Sequence, residues 1–428
     1  MSHALSWLRG LCRFPRHGLL LLIVLAAAGY VCWFAGRQAW AEYHFRTATR
    51  LLGENRPAQA LEHLQDTLRV WPHGFQTHLL AGRAARLTEA FDDAGEHLQE
   101  CQQQDQESEP VLLEWAMLRA QRGEVADVDE YLKKLVANNH PDTLLILQAL
   151  TTGYLRMYRW SGAMQCLRIW LDRDPDSVQA LIYRGQAWRR VHEHQLALDD
   201  HRRALELDPD NEEARSAFVD SLLDSKQPAE AAQSLEVLLH RQPDNLAFQV
   251  KLARCRNELG QSAEAAVALD GILTVHPEYV PALTERGKVA IDQGNFDDAE
   301  RWLRKSLAHK PSDQYTNLLL HQCLLQARKT EAAKVQEAKL RDIENALKRL
   351  IEIGNKDMSL RPRDPALHCE LGTIFFQLGQ DDLGVRWMQS ALQQNPSFRP
   401  AHQALADHYQ HVGDHDRAAY HRQQAASF

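Results

Sequence analysis

The chain has 428 residues and a formal net charge of −8 at pH 7. That balance excludes a surface built to displace phosphate counterions from nucleic acid, which needs clustered Lys and Arg. Its seven cysteines, an odd number without a Cys-x-x-Cys pair, exclude a disulfide-rich scaffold. Cys101, Cys166, Cys255, Cys323 and Cys369 each fall inside a helical pattern and read as small apolar groups.

In chain order the first element is apolar. Residues 18–36, GLLLLIVLAAAGYVCWFAG, carry no charge, and at about 1.5 Å per residue a helix of that length spans roughly 28 Å, near the thickness of a bilayer core. A buried core helix would keep a polar stripe, and this run has none. Arg9, Arg13 and Arg16 precede it, and Tyr30, Trp33, Phe34 and Trp40 cluster at its far end, as interfacial aromatics do. We read a short basic cytoplasmic tail over 1–17 and one transmembrane signal-anchor helix over 18–36. The rest of the chain then lies outside the cytoplasm, on the periplasmic side. Ala26-Ala27-Ala28 leaves a cleaved signal peptide as the alternative. No proline and no Gly/Ser run separates Gly36 from Tyr43, so the anchor is expected to continue directly into the helix that follows.

Beyond it the chain repeats. Pro175, Pro209, Pro243, Pro277 and Pro311 each lie 34 positions on from the last, as do Ala163, Ala197, Ala231, Ala265 and Ala299. Two residue types sharing one period mark a solenoid. Within Val178 to Asn211, Leu181, Gly185 and Trp188 form one helical stripe and Ala197, His201 and Ala204 another, with Leu198 and Leu205 alongside. Small residues at Gly185, Ala253 and Gly287 let the two helices approach closely. The closing proline cannot continue the second helix, and Asp or Asn beside it favours a turn. Such a hairpin buries its faces only against its neighbours.

Leu181, Gly185, Trp188, Ala197, Ala204 and Pro209 closely resemble the tetratricopeptide repeat pattern. The resemblance implies an all-α solenoid superhelix of about eleven helix hairpins. Units begin near Ala41, Phe75, Glu109, Leu144, Val178, Glu212, Leu246, Val280, Gln314, Pro365 and Arg399. Repeats one to eight then occupy 41–313, the ninth 314–364 and the last two 365–428. The ninth is over-long. Its surplus holds a stripe of Leu340, Ile343, Leu347 and Leu350, with Glu337–Arg341 and Glu344–Lys348 as i,i+4 pairs. We read an extended second helix ending near Gly354-Asn355 as its cap, serving as a packing extension rather than a docking helix or a coiled-coil dimer.

Motifs for chemistry are missing. The sequence holds no Gly-x-x-x-x-Gly-Lys, Gly-x-Gly-x-x-Gly, His-Glu-x-x-His or Gly-x-Ser-x-Gly. An enzyme, a cofactor and a small-molecule substrate are therefore not expected. His192, His194 and His201 cluster, as do His411, His415 and His421, but without cysteine or carboxylate ligands at fixed spacing. They read as solvated or packing histidines rather than a zinc site. Trp170 and Trp188 read as core.

In solenoids of the resembled family the first helix of each pair lines a concave groove. Carried onto this chain, the groove positions are Arg83, Arg86, Gln148, Arg156, Gln179, Gln186, Arg189 and Arg190, then Asp220, Asp224, Arg254, Glu258, Lys288 and Asp292. The earlier half is basic and amide-rich, and the later half mixed to acidic. Planar donors suit carboxylates, so an acidic or C-terminal peptide segment is expected across Arg156, Gln186, Arg189 and Arg190. Ile182 and Gln186 replace the Lys and Asn of the chaperone-tail clamp, so that mode is not expected. The closing AAYHRQQAASF lacks the cysteine pairs of an anchored lipopolysaccharide-assembly regulator. The resemblance thus implies a membrane-anchored scaffold for protein–protein interactions in a bacterial envelope assembly. The alternative is a non-catalytic accessory subunit of an envelope enzyme, secretion or biogenesis complex.

Overall fold

The computed structural model describes the backbone of residues 16–427 and the side chains of residues 24–427 apart from Ala126 and Ser359. Among the described residues the secondary structure is helical throughout, with no strand. The chain divides into two compact units at Arg122 and Gly123.

The first unit holds α1 (Arg16–Gly53), α2 (Pro57–Leu68), α3 (Phe75–Leu87), α4 (Phe91–Gln104) and α5 (Glu109–Gln121). The second opens with α6 (Val125–Ala137), followed by α7 (Thr143–Arg156), α8 (Trp160–Arg173), α9 (Val178–Arg190), α10 (His194–Leu207), α11 (Glu212–Asp224) and α12 (Pro228–Arg241). It continues through α13 (Leu246–Glu258), α14 (Ser262–Val275), α15 (Val280–Asp292), α16 (Phe296–His309), α17 (Gln314–Gln326) and α18 (Thr330–Glu352). After α18 come a π-helical segment (Ile353–Asp357) and a single turn, α19 (Met358–Leu360). The unit closes with α20 (Pro365–Gln377), α21 (Asp381–Gln394), α22 (Arg399–His411) and α23 (His415–Ser427).

The local chemistry of each hairpin follows from its turns. Asn55, Glu89, Tyr158, His192, Lys226, Gly260, Gly294, Arg328, Gly379 and Gly413 all adopt positive φ between the two helices of a pair. Glycine enters that region without a Cβ penalty, whereas the six other residues bear it. Between pairs, Asn211, Asn245 and Asp313 cap α11, α13 and α17 by accepting from the N–H three residues on, at 2.9, 3.2 and 2.8 Å. The repeated alanines Ala163, Ala197, Ala231, Ala265 and Ala299 are completely buried. They leave room for the facing helix. At Gly185 the approach is closest, because the His201 ring lies where a Cβ would stand.

The apolar run and the first repeat helix form one continuous helix, α1. Of the expected span, the tail over 1–15 lies outside the described residues, and so do the side chains of residues 16–23. Val24, Leu25, Tyr30, Val31, Trp33 and Phe34 are exposed. Among the described residues no helix is long and apolar enough to cross a membrane. Residues 24–36 alone reach roughly 20 Å, short of a bilayer core of about 30 Å.

The ninth pair departs from the reading in two respects. Glu337 and Arg341 pair at 3.0 Å, but Glu344 and Lys348 have no mutual contact among the described residues. Gly354 does not cap α18: the chain continues through the π-helical segment, whose extra residue per turn swings Gly354 against the backbone carbonyl of Tyr158. Leu340, Ile343, Leu350, Ile353 and Met358 are buried beneath it. Leu350, Ile353 and Met358 join Leu367, Leu371, Phe375 and Trp387, with Met157 and Tyr158 packed against the cluster.

Candidate functional site

In the second unit several successive first helices touch one another directly, α9 with α11, α13 with α15 and α15 with α17. The charges expected to stand open there are largely interlocked. Arg189 donates to Asp224 at 2.7 Å and to Asp220 at 3.4 Å, and Lys251 reaches Asp220 from the next pair. Arg254 and Lys288 both hold Glu258, at 3.1 and 3.0 Å, and Asn257 donates to Asp292. Gln179 donates to Glu213 at 3.3 Å. Burial pushes the Glu258 carboxyl up, but the Lys288 and Arg254 hydrogen bonds outweigh it and hold it below the ordinary carboxylate value. The expected acidic half of the groove is therefore a ladder of intramolecular pairs, because one first helix presents its cations a turn away from the next one's carboxylates.

Two expected groove donors belong to the core. In the first unit Arg86 is completely buried, donating to Glu114 at 2.8 Å and to Gln121 at 2.9 Å, while Arg83 holds the other oxygen of Glu114. Glu114 has no exposed surface, so the guanidinium neutralises a buried carboxylate rather than waiting for a ligand. In the second unit Gln148 is also buried.

Arg156, Gln186, Arg189 and Arg190 do come together. They share one wall of a cavity of about 960 Å³, with Leu155, Tyr158 and Trp160 beside them. The opposite wall is α18, through Glu344, Leu347, Lys348 and Ile351. Sequence reasoning missed that second wall. Its only signal was the surplus in the ninth repeat, which gives a length and not a destination.

The histidine clusters resolve into packing and turn positions. His201 is fully buried between the Ser221 hydroxyl at 2.7 Å and the Ile182 carbonyl at 3.2 Å. A carbonyl only accepts, so Nε2 carries the proton and Nδ1 accepts from Ser221. His421 meets His402 at 2.9 Å, and His192 is a positive-φ turn residue. Trp170 is buried, and Trp160 lines the cavity from its edge.

Family profiles described as tetratricopeptide repeat match residues 45–109, 152–212 and 222–286. The chain carries tetratricopeptide repeats. It is 24% identical over 304 residues to the DnaJ protein P58IPK homolog B of Oryza sativa subsp. japonica, covering 64% of each. It is 24% identical over 231 residues to anaphase-promoting complex subunit 7 of Homo sapiens, covering 52% of this chain and 39% of that protein. The chain spans less than two thirds of the length of these relatives. Among solved structures, human IFIT1 with m7Gppp-AAAA is 17% identical, with 83% and 90% of the two chains covered and a TM-score of 0.42. The type IV pilus biogenesis factor PilW is 21% identical, with 46% and 92% covered and a TM-score of 0.39.

Proposed function

We propose that the chain is a tethered tetratricopeptide scaffold whose second unit takes an acidic peptide segment of a partner protein. The observation that carries this is the shared wall of Arg156, Gln186, Arg189 and Arg190 in one cavity, flanked by the apolar Leu155, Tyr158 and Trp160. Asp224 also lines the cavity and holds Arg189, so it is Arg190, exposed and without an ion pair among the described residues, that complements a segment alternating carboxylates with apolar side chains against the apolar wall. The anaphase-promoting complex relative is by its name a subunit of an assembly, which favours an interaction role. The tether is the run over 18–36, which lies in α1 together with the first repeat helix and exposes Trp33 and Phe34. It holds the repeats on the periplasmic side of a bacterial envelope, where the chain serves an assembly without catalysing a reaction.

Two measurements test the proposal. Full chain in mild detergent should bind a peptide of alternating glutamate and leucine saturably, and bind its lysine–leucine counterpart no better than background. A reporter active only outside the cytoplasm, fused after Phe428, should work. Equal binding of both peptides contradicts the peptide reading, and a silent reporter contradicts the topology.

A further inference from the structure

The basic wall explains only half of the cavity. Facing it, α18 presents Lys348 between Leu347 and Ile351, all three lining the same space. Lys348 and Arg190 are both exposed, and neither has an ion pair or hydrogen bond among the described residues. That sets them apart from Arg189, Lys251, Arg254 and Lys288, whose charges are already matched. Two unmatched cations on opposite walls, each beside apolar surface, form an arrangement that an intramolecular role does not require.

We propose that α18 is the second jaw of the peptide site, with Lys348 and Arg190 gripping carboxylates of one acidic segment from opposite sides. The proposal rests on the acidic-peptide reading and adds the helix, the residue and the mode. The jaw is preset. Ala346 and Ile353 are buried in the core behind it, and the π-helical segment seats Gly354 on the Tyr158 carbonyl. A wall fixed before binding loses little freedom when the ligand arrives. The cavity, about 960 Å³, falls at the upper end of the roughly 300–1,000 Å³ that enclose small ligands and is large enough for a short extended run of residues. An apolar side chain of that run would rest between Ile351 and Leu347 on one side and Trp160 on the other.

Glu344 opposes this arrangement and so provides a second handle. It lines the same cavity one turn before Lys348 and has no ionic partner among the described residues. A carboxylate of the ligand must approach it, so removing its charge should help binding while leaving the fold alone.

Isothermal titration of the full chain in detergent with the glutamate–leucine peptide decides the matter. Lys348→Glu should weaken binding by about tenfold or more, since a like charge replaces a charge-assisted bond. Glu344→Gln should tighten it several-fold, and neither substitution should move the helical melting curve. Should Lys348→Glu fold poorly, Glu344→Gln still reads the same jaw. If both variants bind as wild type does while Arg190→Glu loses affinity, α18 is no jaw, although the peptide reading stands. If wild-type chain binds no glutamate–leucine peptide at low salt, both fall together.

Discussion

The backbone N–H of Ser161 donates to the side-chain carbonyl of Asn355 at 3.4 Å, joining residues 194 positions apart. Next to it, Gly354 lies so close to the Tyr158 carbonyl that a Cβ would overlap it, and Tyr158 in turn packs its ring 5.8 Å from Phe375. The extended ninth repeat thus returns to the turn of the fourth. Gly354→Ala should cost about 1–3 kcal/mol, because the obstacle is backbone and cannot rotate away. Amide exchange should quicken around residues 157–161 and 353–357, while the first unit keeps its protection. Unchanged exchange there would mean that the contact contributes nothing.

Two glycines in helix interiors should respond in opposite directions. At Gly185 a Cβ meets the His201 ring, which is held on both sides by Ser221 and Ile182. Gly185→Ala should therefore cost about 2–3 kcal/mol. Gly271 in α14 has nothing within 4 Å of the same position. Gly271→Ala should gain about 0.5–1 kcal/mol by removing helix-breaking freedom. Paired thermal melts check both signs.

Buried histidines set a pH dependence. His201 is held below the ordinary value of 6.5 by burial, against the upward pull of its Ile182 hydrogen bond. His97, His368 and His421 are lowered too, each chiefly by burial. The unfolded chain binds these protons more readily than the folded one. Their contribution is therefore complete above about pH 6.5 and is lost as the pH falls below it. The melting temperature should decline between about pH 6.5 and 5, and less steeply in His201→Gln. A melting temperature that rises across that interval would contradict the assignment.

Glu285 should show the reverse sign. It is 7% exposed, and its Oε2 has no hydrogen-bond partner among the described residues. Burial pushes its carboxyl above the ordinary carboxylate value, although Arg254 and Lys288 pull it down. An acid whose folded value is raised prefers the neutral form in the fold, so ionisation near neutral pH costs stability. Glu285→Gln should accordingly raise the melting temperature at pH 7, with the gain vanishing in acid once Glu285 itself is protonated. Destabilisation at pH 7 would show that the attraction to Arg254 and Lys288 dominates.

The helix pairs were legible because their signal is local. Proline, alanine and glycine each answer to one turn or one close approach, and these recur in register. The ladder was also partly written in the sequence. Arg189 stands 31 and 35 positions before Asp220 and Asp224, three residues short of one repeat and one residue beyond it, so opposite charges on adjacent first helices were bound to meet. Reading each position singly, as groove or not groove, concealed that. Arg86 misled because a buried cation and a waiting one look alike until Glu114 is placed beside it. Lys348 could not be found at all. Its place opposite Arg190 depends on the bend that carries Gly354 to Tyr158, a contact no periodicity encodes.

Hydrogen–deuterium exchange of the full chain, with and without saturating glutamate–leucine peptide, tests the central claim most directly. The account predicts new protection around residues 155–160, 186–192 and 344–351, the two walls of one cavity. Protection centred on α13 and α15 instead, or no protection anywhere, would contradict it.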